Sequence, residues 1–240
     1  MMEIPFTYTI LFLAPLVSGL VVMYFKPSLS ANIKLLLSFS GSFLLAICFL
    51  HLIPELYHDY SYSVGIFILV GFLLQILLEF FSKGIEHGHY HPNKEKKIFP
   101  YALFLSLCVH SFVEGMALVE PNHYHEHHFS NNSLLAGIII HKIPITIILA
   151  TIMFTNKISF KSRLLSVVIF SLTAPVGLFL ASTYGKILLN NVSVLNALAV
   201  GILLHVSTTI LFETSEAHKF NLKKFLVIII GLFTAILVLL

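Results

Sequence analysis

The chain has 240 residues, 58% hydrophobic and only 10% charged, with a formal net charge of +3 at pH 7. Soluble domains carry about 25% charged residues. With a mean hydropathy of +0.94, that deficit excludes a soluble fold and points to an integral membrane protein. No nucleic-acid partner is expected.

The N-terminus, MMEIPFTYTILFLAPL, has an acidic residue and no basic cluster. It therefore lacks the leading segment of a cleaved signal peptide, and the first apolar segment is expected to stay as a span. A span needs roughly 20 mainly apolar residues. Eight segments qualify, at about 6–25, 35–55, 62–82, 99–119, 133–154, 164–184, 194–212 and 222–240. Lipid leaves no partner for unpaired backbone groups, so the predicted fold is all-α, a single transmembrane domain over residues 1–240. There is no Trp, so any aromatic belt rests on the nine tyrosines. Cys48 and Cys108 lie in apolar stretches and form no CxxC pair, so they read as small buried hydrophobes.

Span 2 ends in FLHLIPELYHD, which puts His51 and Glu55 on one helical face and His58 and Asp59 a turn further. These four suit an approach path from the outer surface, or an accessory ligand set. Pro54 should disturb this helix. Glu79 sits near the inner end of span 3 and is expected to snorkel. The following connection, 83–98, contains EHGHYHPNKEKK with His87, His89 and His91. The connection 120–132 is EPNHYHEHHFSNN, with His123, His125, His127 and His128. Neutral imidazoles beside carboxylates can collect divalent metals weakly. Such loops serve equally well as polar filler.

Between these loops lies CVHSFVEGMALV, where His110 and Glu114 are four residues apart and share one helical face. Span 5 contains GIIIHKIPITIILA, with His141 and Lys142 in its middle. Ionisable groups inside a membrane are costly and usually face a bundle interior or a substrate path. If spans 4 and 5 meet, two imidazoles and one carboxylate converge, a common arrangement for a divalent metal with a position left open. Lys142 lies about 100° around the helix from His141. It suits either a fixed positive charge paired with a carboxylate or a snorkelling side chain. Pro144 frees the carbonyl of Ile140 and should bend the helix beside His141. Pro175 should disturb span 6 similarly, and Gly115 and Gly137 permit close helix approach. In span 7, His205 precedes Ser207, Thr208 and Thr209, with Glu213, Glu216 and His218 beyond, a candidate exit path.

The basic residues give the orientation. Lys26, Lys34, Lys83, Lys94, Lys96, Lys97, Lys157, Lys161, Arg163, Lys219, Lys223 and Lys224 fall in or beside the connections after spans 1, 3, 5 and 7. Only Lys186 falls on the other side. This asymmetry predicts both termini outside the cytoplasm, with 83–98 cytoplasmic and 120–132 extracytoplasmic.

HSFVEGMALV and IIHKIP resemble the fourth and fifth transmembrane helices of the ZIP zinc–iron permeases. CFLHLIPE resembles the second helix and GILLHVSTTILFE, more loosely, the seventh. The resemblance implies uptake of Zn²⁺, or Fe²⁺, Mn²⁺ or Cd²⁺, into the cytoplasm of a cell, across its surface membrane. It also implies a 3+2+3 arrangement with spans 1–3 and 6–8 as an inverted repeat, an elevator-like motion of spans 1, 4, 5 and 6, and a homodimer. His110, Glu114 and His141 match the family's primary metal ligands. The second metal position departs from the pattern: Ser111 replaces a frequent Asn, Lys142 and Ile145 replace acidic ligands, and Ala174 replaces a Glu. Val113 and Ile210 replace a frequent proline and Glu. The expected site thus holds one metal, as substrate and not as cofactor, with Ser111 and Lys142 beside it.

Two other functions compete. A histidine-box metalloenzyme would use the i,i+4 pairs His87–His91 and His123–His127, but these fall on opposite sides of the membrane, and there is no HExxH. A sensor would bind metal without moving it. No GxxxxGK[ST] phosphate loop is present, so direct ATP drive is not expected.

Overall fold

In a computed structural model, the described residues are 4–25, 31–59, 63–82, 99–119, 130–189, 192–212 and 222–239. All regular structure among them is helical. The helices are α1 (Ile4–Phe25), α2 (Ala31–Ile47), a π-helical turn (Cys48–Leu52), α3 (Ile53–Asp59), α4 (Ser63–Ser82), α5 (Tyr101–Met116), α6 (Ser130–Thr155), α7 (Phe160–Leu189), α8 (Val192–Phe212) and α9 (Leu222–Leu239). The second expected span is the continuous run from α2 to α3. Among the described residues, seven spans are long and apolar enough to cross a membrane. The eighth, α5, has 16 residues and is shorter than the expected 99–119. The helix gives way to a turn at Ala117 and Leu118, although the sequence stays apolar to Val119.

The chain is a multi-pass membrane protein, and exposure follows the solvent change. α4 and α9 present Leu69, Leu73, Leu77, Phe80, Ile230 and Phe233 outward, as a lipid-facing surface requires. α6 is the most enclosed helix, packed by α1, α2 and α7. The main helix pairings are α4 with α8, α2 with α9, α5 with α7, α1 with α6, α1 with α7, and α2 with α8. α5 and α6 meet only over a short stretch.

Small residues set these approaches. A Cβ on Gly71 would strike the Leu198 carbonyl, and one on Gly201 would strike that of Ile68. The α4–α8 crossing is thus notched from both sides. The α5–α7 crossing repeats the device, with Gly115 against the Ala174 carbonyl and Gly177 against that of Phe112. Lipid offers no hydrophobic drive between helices, so such close packing carries the association.

The prolines are accommodated in two ways. Before Pro54 the helix widens, and Ile53 donates to Cys48 O, five residues back. This accommodates the N–H that Pro54 lacks, and His51 sits within the widened turn. α6 and α7, by contrast, run as single helices through Pro144 and Pro175. Enclosure by neighbouring helices holds α6 together across the missing bond.

Candidate metal centre

His110 and Glu114 are one turn apart on α5, and both are buried. His110 Nε2 lies 3.3 Å from Glu114 Oε1. α6 brings His141 against them, its ring centroid 5.9 Å from that of His110 and nearly perpendicular to it. One ligand atom from each of His110, Glu114 and His141 lies within 4.8 Å of the others. An ion bonded at about 2.0–2.1 Å would draw them together by small side-chain rotations. Among the described residues this is the one cluster of three or more such groups that could hold a metal.

Each imidazole is oriented through its far nitrogen. His110 Nδ1 lies 3.2 Å from Gln75 Oε1 of α4. With the amide oxygen facing the ring, Nδ1 donates. Nε2 then presents its lone pair towards a carboxylate oxygen. Two acceptors facing each other at this distance call for a cation or a proton between them. Ser40 of α2 donates to Leu37 O at 2.9 Å and lies 3.4 Å from His141 Nδ1, so its oxygen accepts from that ring. The lone pair of His141 is thereby directed to Nε2 as well.

Lys142 is fully buried and does not snorkel. Its ammonium donates to Glu114 Oε2 at 2.7 Å and to Ser111 Oγ at 2.5 Å. Ser111 is also 2.6 Å from Thr173 Oγ1 of α7, and the ammonium lies 5.3 Å from the Phe170 ring centroid. One carboxylate oxygen of Glu114 thus meets the Lys142 ammonium, while the other faces His110. Ala174 and Ile145 are buried and apolar, and add no ligand.

Of the other sequence candidates, those among the described residues are not part of this cluster. His51 Nε2 and Glu55 Oε2 are 3.2 Å apart, with the Glu55 side chain 43% exposed. The side chains of His58 and Asp59 lie outside the described residues, as do Glu213, Glu216, His218, and the loop histidines His87, His89, His91, His123, His125, His127 and His128. Glu79 is not simply turned to the surface: its Oε2 is 3.4 Å from Nε2 of buried His205, across the α4–α8 crossing. Phe72 covers the His205 ring edge-on, with centroids 4.8 Å apart.

Sequence reasoning missed Gln75, Ser40 and Thr173. Gln75 did carry a signal. From Val64 to Phe81 the only polar side chains of α4 are Gln75 and Glu79, one turn apart. Ser40 and Thr173 carried none, because hydroxyls in transmembrane helices commonly bond their own backbone.

The ZIP Zinc transporter family profile matches residues 85–239, more than half of the chain and including all three clustered residues. The chain belongs to the ZIP family. Its family description is that of a transporter and not an enzyme. Among curated proteins, this ZIP member is similar to Protein zntD of Dictyostelium discoideum, at 29% identity over 170 residues. That match covers 61% of this chain and 24% of the relative, so the ZIP chain here spans about a quarter of the relative's length.

Proposed function

We propose that the protein carries Zn²⁺ into the cytoplasm, by alternating access around a single site between α5 and α6. The observation that carries this reading is the convergence of His110, Glu114 and His141 with Lys142 on the remaining carboxylate oxygen. Two imidazoles and a carboxylate suit zinc, and Fe²⁺, Mn²⁺ and Cd²⁺ are compatible substrates. Lys142 supplies the charge a second cation would otherwise bring. It balances Glu114 when the site is empty and repels the ion when it is full, so release is not opposed by a surplus of acid.

The pattern of helix pairing supports a 3+2+3 arrangement. Exchanging α1 with α7, α2 with α8, α4 with α9 and α5 with α6 turns the α4–α8 pairing into α9–α2, and α5–α7 into α6–α1. It leaves α1–α7 and α2–α8 unchanged. In this reading α1, α5, α6 and α7 move as one body against the rest. The charge asymmetry of the connections supports both termini outside. On that orientation Glu79 and His205 stand towards the cytoplasmic end and serve release, while His51 and Glu55 stand on the approach side.

The test is uptake of labelled zinc into proteoliposomes. His110→Ala and Glu114→Ala should each abolish uptake while the protein stays monodisperse and helical. Uptake at the native rate in both variants would refute the site.

A further inference from the structure

Resting on the metal-transport reading above, we infer that Gln75 is a positioning residue for metal binding, which sets the orientation and donor strength of His110 from a neighbouring helix. Three observations converge on it. Gln75 is fully buried, in a helix whose only other polar side chain between Val64 and Phe81 is Glu79. A carboxamide there is costly unless it is hydrogen-bonded. Its Oε1 meets Nδ1 of His110, the nitrogen opposite the one that faces Glu114. The second imidazole is held the same way, by Ser40 of α2 on Nδ1 of His141. Both ligand rings, on α5 and α6, are therefore steered from helices outside that pair.

An acceptor on the far nitrogen of a metal-bound imidazole fixes the ring and increases its basicity. The strength of that acceptor then tunes metal affinity. A neutral carboxamide gives an intermediate setting, between no acceptor and a carboxylate. This suits a site that must both capture its ion and let it go. Gln75 also lies one turn from Glu79, which faces His205, so one face of α4 addresses an imidazole at each level.

The discriminating feature is a sign. Gln75→Leu removes the acceptor at similar volume, whereas Gln75→Glu strengthens it. A role confined to tying α4 to α5 would make both substitutions weaken binding. The experiment is calorimetric titration of the purified full-length chain in detergent with zinc. The expected result is a Kd raised about 10- to 100-fold in Gln75→Leu and no higher than the unsubstituted protein in Gln75→Glu. A Co²⁺ titration of Gln75→Leu should also show an altered visible absorption band. A Kd within threefold in Gln75→Leu, or equal weakening in both variants, overturns the inference. If Gln75→Leu does not fold, Gln75→Met is judged by the same criterion. His110→Ala separates the two levels: zinc binding retained at the affinity of the unsubstituted protein in that variant sinks the metal site itself. Lost binding there, with an unchanged Kd in Gln75→Leu, sinks only the role of Gln75.

Discussion

Replacing Lys142 with Met keeps much of the side-chain length and removes the charge. The ammonium stands 2.7 Å from Glu114 Oε2, and both side chains are almost wholly buried. At an effective dielectric of about 20, that separation corresponds to roughly 6 kcal/mol of attraction. Desolvation opposes part of this, and loss of one partner from a buried pair costs about 3–5 kcal/mol. The cost falls on the metal-free state, where Glu114 is left without compensation. A bound divalent ion restores the compensation and no longer meets the repulsion of the ammonium. Lys142→Met should therefore bind zinc more tightly, by about 3 kcal/mol or roughly 100-fold, and release it more slowly. Competition titration against a fluorescent chelator measures the affinity. Thermal unfolding in chelator and in zinc measures the stability, which should drop in chelator and recover with metal. Proteoliposome uptake at saturating zinc should slow. An unchanged Kd together with an unchanged unfolding temperature in chelator would refute the charge-balance reasoning.

Glu114→Gln leaves Lys142 buried without its carboxylate. The protein should lose about 3–5 kcal/mol of stability and, unlike Lys142→Met, gain none of it back with zinc; melting curves in both conditions check this. Gly115→Ala drives a methyl into the Ala174 carbonyl. Overpacking of this kind costs about 1–3 kcal/mol, and chemical unfolding of the α5–α7 contact should register it. Glu79→Gln and His205→Ala should lower the uptake rate while leaving the zinc Kd within about threefold, as groups on the release side would; equilibrium titration alongside uptake separates the two. Deleting 86–97 should alter rate or regulation and leave zinc affinity at the buried cluster intact. Loss of that affinity on titration would contradict the assignment of the cluster as the transport site.

Much of the site was legible because its key spacing is local. His110 and Glu114 share a face by helical periodicity alone, and one turn of α5 suffices to pair them. Lys142 illustrates the limit. Helical geometry turns it about 100° away from His141, and nothing in α6 alone says what lies in that direction. The α5–α7 crossing, set by Gly115 and Gly177, brings Ser111 and Thr173 together where the ammonium arrives. Glu79 and His205 show the same limit, since 126 positions of chain separate residues that the α4–α8 crossing brings within 3.4 Å.

What the chain alone determined is the membrane class, the spans, and which polar groups are too costly to be incidental. These follow from hydropathy and from a period of 3.6 residues, both properties of short segments. What the tertiary structure decided is the rotation of each helix about its axis relative to its neighbours. That rotation directs Gln75 at His110, Ser40 at His141, and Lys142 at Glu114 rather than out to the surface. It depends on close packing between helices distant in sequence, where a glycine on one backbone meets a carbonyl on another.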